Sequence, residues 1–141
     1  MLDEISQSLQ HDLIKNSYEG NLDKVLDLLK LGSNDSSIAV QYAASCGQSH
    51  IVKYLIEHDK EYNLDLSELA IRVYLESAAI NNKLNVVQYL IQTIPRNYLN
   101  LNDAITKATI HGAKDVINYL SSLGAKYDSY YDPNYMMRRN Y

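Results

Sequence analysis

At 141 residues with 46% hydrophobic content the chain suits one domain with its own core. A net charge of −4 and a pI near 5.5 argue against nucleic acid or an anionic membrane as partner. One cysteine, Cys46, excludes an internal disulfide framework, and no apolar stretch approaches the ~20 residues that cross a bilayer.

The start, Met1-Leu2-Asp3-Glu4, lacks the basic and apolar segments of a secretion leader, so the expected setting is intracellular and cytoplasmic. Residues 1–11 carry Leu2, Ile5 and Leu9 at helical spacing and read as an N-terminal helical cap. A phrase then appears four times: Gly20-Asn21-Leu22-Asp23-Lys24-Val25, Gly47-Gln48-Ser49-His50-Ile51-Val52, Asn82-Lys83-Leu84-Asn85-Val86-Val87 and Gly112-Ala113-Lys114-Asp115-Val116-Ile117. Successive anchors are 27, 35 and 30 residues apart, which is solenoid spacing. A β-branched residue stands five after each anchor (Val25, Val52, Val87, Ile117) and a leucine eight after it (Leu28, Leu55, Leu90, Leu120). That step keeps both on one helical face.

Each phrase follows another helical segment: Ser37–Ser45 in the second unit, Val73–Ile80 in the third and Asp103–Ile110 in the fourth. In the third unit the helix is expected to extend over 65–80. Four residues before each anchor stand Asn16, Ala43, Ala78 and Ala108, small enough for close backbone approach. The anchor joins two helices through a tight turn and favours glycine; Asn82 is the commonest kind of replacement there. Ser36 or Ser37, Asp65 with Glu68, and Asn102 are expected N-caps, and Gly32, Gly124 and Ile94-Pro95 are helix stops. The segment from Lys126 to Tyr141 holds five of the 13 tyrosines, Pro133 and Arg138-Arg139 without a clean period, and is expected to be an irregular tail. The chain has no Phe and no Trp, and tyrosine can fill core positions while its hydroxyl stays at the wet edge.

Helix, glycine turn, helix and a closing Leu123-Gly124-Ala125-Lys126-Tyr127-Asp128 resemble the ankyrin repeat, with Ala108 to Asp128 as the best match. The resemblance implies an all-α solenoid over residues 1–128, with repeats at about 10–33, 36–62, 66–97 and 101–128 and a tail at 129–141. The family's Thr-Pro-Leu-His opening is absent. His11-Asp12-Leu13-Ile14, Ile38-Ala39-Val40-Gln41, Val73-Tyr74-Leu75-Glu76 and Asp103-Ala104-Ile105-Thr106 stand in its place. The hairpin fingers between repeats are expected to be short. The Tyr-, Asn- and Ile-rich divergent repeats resemble those of ankyrin proteins of amoeba-infecting giant viruses, which implies a viral origin.

Chemistry is sparse. His11, His50, His58 and His111 stand in no metal-binding spacing, and the turn between Cys46 and His50 breaks their shared face, so no metal site or cofactor is expected. No phosphate loop or nucleophile elbow is present, Cys46 has no sequence-adjacent base, and Asp3-Glu4 and Glu57 with Asp59 read as solvated surface. The chain is expected to be non-enzymatic. In the resembled fold the two residues before each turn face the partner groove: Tyr18-Glu19, Ser45-Cys46, Ile80-Asn81 and Ile110-His111. Apolar residues at such positions mark contact, against the alternative that they tuck under a neighbouring repeat. The implied function is protein–protein binding by a monomer or weak self-associator. The runner-up is a structural or assembly component, such as one of a virion, that packs through its ends and its Tyr-rich tail. For that tail, capping of the last repeat is weighed above a second binding surface.

Overall fold

A computed structural model describes residues 2–32 and 35–139, with the side chain of Met136 left out of the description. Four helix pairs stack in order: α1 (Leu2–Glu19) with α2 (Leu22–Lys30), α3 (Ser36–Ser45) with α4 (Ser49–Glu57), α5 (Glu68–Ile80) with α6 (Leu84–Thr93), and α7 (Leu101–Ile110) with α8 (Lys114–Ser122). A short α9 (Tyr135–Arg139) follows the fourth pair. The first helices pack in the order α1, α3, α5, α7, and the second helices form the other layer. Among the described residues no strand forms, so no hairpin fingers are built there; residues 58–67 join α4 to α5, and a 3-10 turn (Arg96–Tyr98) lies between α6 and α7. The expected N-terminal cap is continuous with α1.

The repeated phrase has one backbone geometry. The N–H after each anchor reaches the carbonyl five residues back: Asn21 to Asn16 at 2.9 Å, Gln48 to Ala43 at 2.8 Å, Lys83 to Ala78 at 2.9 Å and Ala113 to Ala108 at 2.9 Å. This is the left-handed helix stop that satisfies carbonyls at a helix end, and the anchors sit at φ +85, +73, +57 and +67. Ala43, Ala78 and Ala108 lie at this close approach and are fully buried.

The apolar pattern of the second helices follows from stacking. Leu28, Leu55, Leu90 and Leu120 are 0–3% exposed, each worth ~1.5–3 kcal/mol relative to exposure. Val25, Val52 and Val87 are also buried, but Ile117 is only partly covered. One position earlier, Ile51, Val86 and Val116 are buried whereas Lys24 is exposed. Lys24 lies in the first helix pair and Ile117 in the fourth, so the pattern loosens at the two ends of the described stack.

The starts of the first helices differ from the sequence reading. Asp35 caps α3 by accepting from the Ile38 N–H, Ser67 caps α5 through Ala70, and Asn100 caps α7 through Asp103. The helix expected over 65–80 begins at Glu68. The buried Tyr74 hydroxyl donates to the Asp65 carbonyl at 2.8 Å, and Asp65 Oδ1 accepts from the Ser67 N–H, which fixes these residues as a loop. Burial pushes the Tyr74 phenol up.

The tail is ordered against the last repeat, not irregular throughout. A 3-10 turn (Ser129–Tyr131) packs on α7 ahead of α9. Thr106 Oγ1 accepts from the Asp128 N–H at 2.8 Å, Asn102 Oδ1 accepts from the Lys126 N–H at 2.9 Å, and Asn100 Nδ2 donates to the Tyr131 hydroxyl at 2.8 Å. Asp132 is 6% exposed and accepts from the Tyr127 hydroxyl and the Asn134 N–H, which hold its carboxyl below the usual range.

Candidate functional site

The four turns lie side by side along one edge of the stack, joined by hydrogen bonds from each repeat to the one before. His50 Nε2 reaches the Gly20 carbonyl at 2.9 Å, and Gln48 Nε2 donates to the Tyr18 carbonyl at 2.9 Å. Asn85 Nδ2 donates to the Gly47 carbonyl at 2.9 Å. Asn82 Oδ1 accepts from the Asp115 and Val116 N–H groups at 3.1 and 3.2 Å. His50, Asn85 and Asp115 stand three residues after their anchors, so the same register locks three successive interfaces. Sequence reasoning passed over this position, although a polar residue recurs there in every repeat, Asp23 included.

The alignment of turns sets the preceding residues in a row. Tyr18 is 41% exposed and Ile110 36%, Ser45 and Ile80 are partly covered, and Glu19, Cys46, Asn81 and His111 are exposed. Local bonds organise the polar members. Ser45 Oγ donates to Gln41 O at 3.0 Å and Asn81 Nδ2 to Ser77 O at 2.8 Å, and His111 Nδ1 lies 2.9 Å from Lys107 O. These bonds keep the side chains near their own helix and leave the edge open.

Beneath the row, α5 and α7 are tied by charge. Asp103 is 2% exposed; Arg72 Nε donates to its Oδ2 at 2.9 Å, and Lys107 Nζ lies 3.3 Å from its Oδ1 while reaching Glu76 at 2.9 Å. The bond to Asp103 raises the Arg72 guanidinium above its ordinary value. Arg72 also lies over the Tyr131 ring at 5.8 Å, so the tail reaches α5 as well as α7. The sequence reading missed this network because its partners are 31 residues apart, as Arg72–Asp103 and Glu76–Lys107.

An open groove lies between the first turns of α5, at Leu69 and Arg72, and the segment with Arg96 and Tyr98. Leu69 and Arg72 lie in the first half of α5 and Ile80 ends it, so about 12–16 Å of helix separates these groove residues from the row.

His50 is used at a turn, His58 stacks on Tyr54 with centroids 4.0 Å apart, and Cys46 is an exposed free thiol. Among the described residues no group of three or more His, Cys, Asp or Glu side chains is placed to hold a metal ion, and no helix is long and apolar enough to cross a membrane.

Comparison with curated proteins found no match, and comparison with solved structures found none. The family model described as ankyrin repeats in three copies matches residues 13–93, more than half of the chain. The match ends with α6. The segment from Ala108 to Asp128, read from the sequence as the best match, lies beyond it, although its turn repeats the same geometry. With a family match of that extent and four stacked helix pairs sharing one turn, the chain belongs to the ankyrin repeat family.

Proposed function

We propose that the chain is a non-enzymatic adaptor that holds another protein on the row Tyr18-Glu19, Ser45-Cys46, Ile80-Asn81 and Ile110-His111. Ankyrin repeats are generally protein–protein interaction modules. The observation that carries the choice of face is that two large apolar residues, Tyr18 and Ile110, stay substantially exposed in equivalent positions of the first and last repeats, with polar residues beside them. Exposed apolar side chains bordered by polar ones are the usual composition of a contact surface. A free exposed thiol at Cys46 supports a reducing, cytoplasmic setting. The Tyr-, Asn- and Ile-rich composition supports a giant-virus origin, with the host cytoplasm as the place of action.

The test is capture from cell lysate with Ile80→Asp and Ile110→Asp. Both variants should keep the helical signal in circular dichroism and lose the partner. A captured set identical to that of the parent chain would remove this face from consideration.

A further inference from the structure

We propose that the chain associates head to tail with a second copy of itself, the overhanging start of α1 in one copy docking on the C-terminal cap of the next. This inference does not depend on the row described above; it concerns the two ends of the described stack, where no neighbouring repeat stands among the described residues.

At one end α1 has 18 residues, while α2 and α3, which pack on it, have 9 and 10. At ~1.5 Å per residue, α1 is about 12 Å longer than either. Residues 2–8 are all exposed as a result. Leu2 is 84% exposed and Ile5 54%, an uncovered apolar pair on the helical face that continues into Leu9, which packs partly against the core. A helix end of this kind is marginal in water unless something packs on it. At the other end Tyr130 is 85% exposed and Met137 70%, beside the exposed Arg138 and Arg139.

Charge selects the occupant. Between residues 2 and 10 the overhang carries Asp3 and Glu4 and no Lys or Arg. α9 carries Arg138 and Arg139 and no Asp or Glu. The ion pairs within the described residues use Arg72, Glu76, Asp103 and Lys107, none of them in these segments. The two sets do not reach each other in one chain. α1 and α7 are three helix steps apart at ~8–10 Å each, and the tail is bonded to α7 through Asn102 and Thr106. They meet between copies, where the acidic apolar helix of one faces the basic Tyr- and Met-bearing cap of the next. Unlike surfaces pair in such a contact, so it is heterologous and can propagate.

Sedimentation velocity on the 141-residue chain over a concentration series tests this. The sedimentation coefficient should rise with concentration, more steeply at low salt than at high salt. Asp3→Arg with Glu4→Arg should weaken association about tenfold, and so should Arg138→Glu with Arg139→Glu. All four changes in one chain should restore it. These residues are exposed, and circular dichroism checks that each variant keeps its helices. A chain that stays monomeric throughout at low salt overturns the proposal. So does association indifferent to the reversals, or a discrete dimer that responds to one end only.

Discussion

Asn82 and Asp115 are joined twice across the interface between the third and fourth repeats: Asn82 Nδ2 donates to Asp115 Oδ2 at 3.1 Å, and Asn82 Oδ1 accepts from the Asp115 N–H at 3.1 Å. The only turn anchor that is not glycine therefore contributes what glycine cannot, a side chain that clamps the next helix start. Asn82 holds φ +57, where a β-carbon is costly. Asn82→Ala keeps that cost and loses the clamp, and should lose about 2 kcal/mol of stability; Asn82→Gly loses the clamp but relieves the backbone, and should lose about 1 kcal/mol. Urea denaturation of both variants checks the order. A Gly variant less stable than the Ala variant would show that a β-carbon carries no backbone cost at this turn.

Gly20 and Gly112 share a positive φ but not their surroundings. A β-carbon at Gly20 would come within 2.6–3.1 Å of the Gln48 amide, whereas at Gly112 it meets nothing within 4 Å. The end of the Gln48 side chain can move, but only by breaking its bond to the Tyr18 carbonyl. Gly20→Ala should therefore cost about 1 kcal/mol more than Gly112→Ala. In a Gln48→Ala background that excess should vanish, which thermal denaturation of the four variants would show.

Removing Asp103 should harm the fold more than removing Arg72. Without the carboxylate, Arg72 and Lys107 face each other across α5 and α7 with only Glu76 to answer them. Both cations keep access to water, so the loss for Asp103→Ala should be about 1–3 kcal/mol rather than that of a fully buried pair. Arg72→Ala leaves Lys107 beside Asp103 and should cost less than half as much. Equal losses in chemical denaturation would contradict the shared-carboxylate arrangement.

The Tyr127–Asp132 bond makes docking of the tail depend on pH. Asp132 is held below its ordinary value in the folded chain, chiefly by the Tyr127 hydroxyl and then by the Asn134 N–H. A depressed carboxyl contributes stability above its unfolded value of ~3.9, and that stability fades as pH falls through the lower folded value. The parent chain should melt higher than Asp132→Asn at neutral pH, and the gap should shrink below about pH 4. A gap that is constant between neutral and acid pH would mean that the charge of Asp132 does not hold the tail.

Deleting residues 129–141 should lower the melting temperature by several degrees, on the order of 5 °C, because the deletion removes the Tyr131 contacts to Asn100 and Arg72 and the Asp132 bonds. Unchanged melting would show that the tail does not cap the last repeat.

The stack was legible in the sequence because its period is a covalent feature. Every anchor turn repeats one local geometry, so Gly20, Gly47, Asn82 and Gly112 fix the helix pairs without knowledge of the fold. The helix starts were less legible. Several oxygen-bearing residues compete for each cap, and the choice of Ser67 over Asp65 depends on Tyr74, nine residues beyond Asp65. The half-covered Ile117 was not foreseen, because an ideal repeat pattern does not show which faces lack a neighbour at an end. For the tail, capping outweighs binding on the sequence alone, but the expectation there is irregular chain: no period marks the segment, and its order comes from Asn100, Asn102 and Thr106 at the start and along α7.

Cys46 is the chain's single cysteine, is exposed, and stands within the proposed contact row, so it can carry a photo-cross-linker without further substitution. Lys53, exposed on α4 in the other helix layer, provides the control as Lys53→Cys in a Cys46→Ser background. After illumination in lysate and mass spectrometry, a partner should be cross-linked from position 46 and not from position 53. Cross-linking of the same protein from position 53 alone would contradict binding through the row.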